Sequence, residues 1–138
     1  MSQQNVEIAE ALFDAWNAGD MDAVRELFAP DVVVRTPEGW PEPGPYVGRD
    51  AVMRQLEQNR GAWDADMIEP IKGFIGVADR VIGHYLWRGA GRGPETEFEL
   101  TFVATVRDGK ILNLEYFWDH AEALKATGLS EQDAHADT

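Results

Sequence analysis

The chain has 138 residues, with 12 Lys and Arg against 25 Asp and Glu, a formal net charge of −13. That length fits one domain, 1–138, large enough to bury a core. The acidic balance argues against nucleic acid, whose phosphates need a basic footprint, and against anionic membranes, while the absence of cysteine excludes disulfides and thiolate chemistry.

Val6, Ala9, Leu12, Phe13 and Trp16 share one helical face, which predicts a helix over 6–18. Gly19 ends it and Asp20 caps the next helix. That second helix turns Val24, Leu27 and Phe28 inward and stops before Pro30. Val32, Val33 and Val34 read as a short strand. Prolines 37, 41, 43 and 45 make residues 37–48 a stiff loop. Its two aromatic residues, Trp40 and Tyr46, suggest a lid or a plug. A third helix is expected over 49–62, with Ala51, Val52 and Leu56 on one face.

Strands follow. The first, 67–78, is interrupted by Pro70, which suggests an edge or a bulge. The next, 81–88, is followed by a glycine-rich turn and a strand at 96–106. Asp108-Gly109 is a hairpin signal, leading to a strand at 111–118. A last helix over 121–127 ends at Gly128, and 130–138 has little to bury, so the ordered part is expected at about 5–129. The order predicts an α+β fold, with three N-terminal helices packed in a curved, mostly antiparallel sheet and a short C-terminal helix. Curling the sheet around the helices leaves a conical cavity open at one end, where a small molecule would sit. No basic, apolar leader and no membrane-length apolar run is visible, so a soluble cytoplasmic protein is expected.

The run from Asn17-Ala18-Gly19-Asp20 to Phe28-Ala29-Pro30-Asp31-Val32 resembles the nuclear transport factor 2-like superfamily. So do Gly48-Arg49-Asp50-Ala51-Val52, Arg107-Asp108-Gly109-Lys110-Ile111 and Asp119-His120-Ala121-Glu122-Ala123-Leu124. The resemblance is closest to the SnoaL-like branch, related to polyketide cyclases and ketosteroid isomerases, and covers residues 5–130. It implies a conical α+β barrel, but such folds host many chemistries, so function rests on the site. The positions that match the ketosteroid isomerase acid–base set hold Phe13, Thr36 and Phe102 (Val103 if the register slips), none suited to those roles. The limonene epoxide hydrolase pattern would put Arg-x-Asp on the middle strand, which instead reads Val81-Ile82-Gly83-His84-Tyr85-Leu86-Trp87. The SnoaL cyclases are similar in needing one aspartate near the end of the last strand as acid/base, without metal or cofactor, and Asp119 matches that place. Asp119 serves equally as the cap of the helix that begins at His120.

Strand alternation places Ile111, Asn113, Glu115, Phe117 and Asp119 on one face. With Ile111 facing the core, Glu115 and Asp119 would point into the cavity together, roughly 13 Å apart. Of His84 and Tyr85, one faces the cavity, and either can assist as a hydrogen-bond donor. His120 is expected to turn away from Asp119, and His135 lies in the tail. No histidine spacing suits a metal. Both serines are terminal, which excludes a serine nucleophile. Phe13, Trp16, Trp40, Tyr46, Trp87, Phe102, Glu115 and Phe117 are the candidate cavity walls, and the aromatic residues point to a broad, flat, apolar ligand. The leading expectation is cofactor-independent acid–base chemistry on a small hydrophobic carbonyl compound. A non-catalytic binding or accessory protein is the alternative, and the resemblance implies a homodimer formed through the sheet.

Overall fold

A computed structural model describes residues 2–40, 42–71, 73–91 and 93–127. Gly128, Ser130, His135 and the 130–138 tail fall outside the described residues, as do Pro41 and Arg92.

The first helix, α1 (Ser2–Ala18), buries Ala9, Phe13 and Trp16. Gly19 takes φ 74, a left-handed stop that costs a glycine little. Asp20 then caps α2 (Met21–Leu27) by accepting from the Ala23 amide at 3.1 Å. Strand β1 (Phe28–Arg35) follows at once, and its pairing breaks between Phe28 and Val33, the stretch that holds Pro30. The proline-rich loop ends in a two-residue strand, β2 (Tyr46–Val47), before α3 (Arg49–Gly61).

The expected strand over 67–78 is two strands, β3 (Ala65–Pro70) and β4 (Ile75–Val77), both paired with β5 (Arg80–Ala90). Pro70 has no amide hydrogen to continue the ladder, so the chain steps out after it and rejoins at Ile75. β6 (Thr96–Arg107) and β7 (Lys110–Phe117) turn on Asp108 (φ 53) and Gly109 (φ 75), the all-positive geometry that suits a two-residue hairpin. The last helix is α4 (His120–Ala126).

The main path of the mixed sheet runs β2-β1-β7-β6-β5-β3, and among the described residues only β1 against β7 is parallel. Helices α1, α2 and α3 fill its inner face, where Phe13, Val24 and Val52 join Val81, Tyr85, Leu100, Phe102 and Leu114 in one core. On the outer face α4 packs Ala123 and Leu124 against Ile82 and Val103. No helix among the described residues is long and apolar enough to cross a membrane.

Candidate functional site

Alternation along β5 sends Val81, Gly83, Tyr85, Trp87 and Gly89 inward, so Tyr85 faces the interior and His84 does not. His84 lies on the outer face. Its ring stacks on that of His120 at 4.9 Å, and its Nε2 lies 3.6 Å from Glu99. His120 Nδ1 lies 3.2 Å from the Thr101 hydroxyl.

On β7 the period-two expectation fails at one residue. Thr105 pairs with Asn113 but Val106 with Ile111, so Leu112 is an extra residue in the ladder. Such a bulge reverses the face of everything beyond it. Ile111, Leu114 and Tyr116 therefore pack inward, while Phe117 packs outward beside Ala123 and Leu124. Glu115 alternates with Tyr116 and does not point into the interior. Asp119 is exposed, and its carboxylate accepts from the Ala121 amide at 2.9 Å as the cap of α4. The two carboxylates expected to face the cavity together do not.

What the bulge delivers instead is Tyr116, a residue that strict alternation hides. It comes close to Tyr85, near enough for each phenol to shift the titration of the other. Burial raises both phenols well above their ordinary value of 10.0. The nearness of Tyr116 raises Tyr85 further.

Deeper in, the cone is filled by its own rings. Phe13 stands 4.9 Å from Phe74, 5.2 Å from Tyr85 and 5.7 Å from Phe102, in edge-on or tilted geometries. Toward the mouth, Trp87 stacks on Phe98 at 4.8 Å, and Phe98 meets Trp40 at 6.3 Å and Trp118 at 5.7 Å. Trp40 lies parallel to Tyr116, 5° between planes and 6.4 Å between centroids. Trp118, absent from the expected walls, donates its indole N–H to the Glu38 carbonyl at 2.9 Å and pins the start of that loop. Tyr46 lies farther along it, where its hydroxyl donates to the Glu42 carbonyl.

Beside Tyr116 the surface opens into a recess of about 470 Å³, lined by Thr36, Pro37, Glu38, Glu115, Tyr116, Phe117, Trp118 and Glu122. It lies where β1 and β7 part company beyond the Arg35–Glu115 pairing. Its size is that of a small-molecule site. Glu115 and Phe117, placed by the sequence in a cavity wall, are in this wall, although both belong to the outer side of β7. Trp16 and Trp87 come together elsewhere, on Asp66: both indoles donate to one carboxylate oxygen, at 2.7 Å and 3.2 Å.

A family model described as the SnoaL-like domain matches residues 9–114. Among solved structures, Bal32a from a soil-derived mobile gene cassette is 23% identical with a TM-score of 0.78, covering 86% of this chain and 92% of its own. TerC, crystallised with polyporic acid, is 22% identical with a TM-score of 0.74, over 88% of this chain and 96% of its own. A candidate polyketide cyclase from Sinorhizobium meliloti is 30% identical with a TM-score of 0.68, over 80% of this chain and 94% of its own. No curated protein matches. With the family model spanning most of its length and the same α+β cone in each of these structures, the chain belongs to the SnoaL-like domain family of the nuclear transport factor 2-like fold.

Proposed function

We propose that this SnoaL-like protein performs cofactor-independent acid–base chemistry on a small, flat, hydrophobic molecule that carries a carbonyl group. The observation that carries the reading is Tyr116 in the wall of the 470 Å³ recess, with the buried Tyr85 phenol behind it. A phenol that stays protonated at neutral pH donates a hydrogen bond to a carbonyl oxygen. That polarises the carbonyl and stabilises the enolate that forms when a neighbouring carbon loses its proton. Glu38, Glu115 and Glu122 line the same recess and are the carboxylates placed to take that proton. Trp118 and, once displaced, Trp40 offer their faces to the flat body of the ligand. TerC with polyporic acid and the candidate polyketide cyclase support the substrate class by analogy.

A second reading, a receptor without turnover, is favoured by Asp119, whose carboxylate caps a helix at the surface instead of facing the phenols. One experiment separates the two. 2-Acetylnaphthalene is titrated into the protein, and exchange of its methyl protons for deuterium is followed by NMR. Binding with exchange above the buffer rate, and roughly a hundred-fold slower exchange in Tyr116→Phe, is the result expected for the enzyme. Binding without exchange identifies a receptor. Absence of binding refutes both readings.

A further inference from the structure

Strand β3 lies at the sheet edge, and its residues Ala65, Met67 and Glu69 are exposed. An aspartate on such a strand has water within easy reach, yet the Asp66 side chain is only 3% exposed. Its Oδ2 accepts from Trp16 Nε1 of α1 and from Trp87 Nε1 of β5. Arg60 of α3 supplies the countercharge, 3.7 Å from Oδ1. The same guanidinium donates to the Trp16 carbonyl at 2.6 Å and lies over the Trp16 ring at 4.8 Å. Burying a carboxylate and a guanidinium costs more than well-packed apolar residues would, so stability is a weak reason for this arrangement. What a carboxylate adds is direction. An N–H bond to a fixed oxygen selects one χ2 orientation of an indole over its flipped alternative.

A second observation converges on Trp87. Gly89 pairs across the ladder with Asp66, and a Cβ there would fall 2.3 Å from Trp87 and 2.9 Å from Trp63. The missing side chain makes room for the rings that Asp66 orients. Trp87 in turn stacks on Phe98, which meets both Trp40 and Trp118 at the recess. We propose that Asp66 is a positioning residue: it fixes Trp16 and Trp87, and through the Trp87–Phe98 stack it sets the aromatic wall against which an extended flat ligand lies. The inference rests on the function proposed above and names what selects a bicyclic ligand over a smaller one.

The test uses the whole chain with Asp66→Asn and, because that change risks misfolding, Asp66→Glu, which keeps the charge but moves the oxygens. Trp16→Phe and Trp87→Phe assign two of the five indole N–H resonances. In both Asp66 variants, folded by far-UV circular dichroism, those two resonances are expected to move furthest, with smaller shifts at Trp63, Trp40 and Trp118, whose rings meet Trp87 or Phe98. Affinity for 2-acetylnaphthalene falls roughly five-fold, while affinity for the single-ring acetophenone stays within about two-fold. Indole resonances that do not move, equal weakening of both ketones, or unchanged binding of 2-acetylnaphthalene each overturn the positioning role and leave the function reading standing. A wild type that binds neither ketone overturns the function reading and this role together.

Discussion

Raising the pH tests whether Tyr85 and Tyr116 stay protonated as donors. Both phenols have native values raised by burial from the ordinary 10.0, so the folded chain holds these protons after the unfolded chain has released them. The unfolded state then binds fewer protons, and stability must fall as pH rises. The stabilisation is complete below the unfolded value and is lost upward from there. Between about pH 9 and about pH 11 an unfolded tyrosine of ordinary pKa contributes ~1.4 kcal/mol of that loss, or ~2.7 kcal/mol for the pair. Repulsion among the excess acids grows over the same range, but it is common to a Tyr85→Phe/Tyr116→Phe control and cancels in the comparison. Urea unfolding of both proteins at the two pH values reads the difference, and tyrosinate absorbance of the native protein reads ionisation directly. An identical pH slope in wild type and control, or native tyrosines that all ionise near the ordinary value, would refute the buried pair and with it the proton donor.

Gly83 has no room to grow. A Cβ there would meet Phe102 at 2.3 Å and Phe74 at 2.7 Å. Gly83→Ala should therefore cost roughly 1–3 kcal/mol by overpacking, with part of the loss recovered when Phe102 is trimmed to Leu, as thermal unfolding of the single and double variants will show. For Asp119, Asp119→Ala should lose about 1 kcal/mol while Asp119→Asn, still a good cap, loses only a few tenths; equal losses in urea titrations would contradict the capping role. Gly109→Ala forces an alanine into the left-handed region and should destabilise the β6–β7 hairpin by about 1 kcal/mol, and a neutral effect would count against the φ 75 turn.

Most of the fold was legible because its signals are local. Gly19-Asp20, Asp108-Gly109 and the helical spacing of Val6 to Trp16 each specify their own geometry without distant partners. The site was legible only in part. Phe13, Trp87 and Phe102 turned inward as expected, since apolar patterning reports burial. Glu115 was misplaced because a two-residue period carries no information about an inserted residue, and Leu112 beside Ile111 leaves only adjacent apolar side chains as a hint. Tyr116 was lost by the same slip. Asp66 was invisible for another reason: within Trp63-Asp64-Ala65-Asp66-Met67 it looks like any surface acid, and only the tertiary arrival of two indoles and Arg60 makes it an interior one.

The parallel pairing of β1 with β7 sets an order of events during synthesis. Phe28 finds its partner in Ile111, and β7 lies between β1 and β6, in the middle of the sheet. A nascent chain that has emerged only as far as Arg107 therefore holds two partial sheets that no strand yet joins, each with an open strand edge. Such edges are where nascent chains pair with the wrong neighbour. Emergence of Lys110–Phe117 closes both edges at once, so the segment that aims Tyr116 at Tyr85 is also the one that turns two fragments into a single cooperative body.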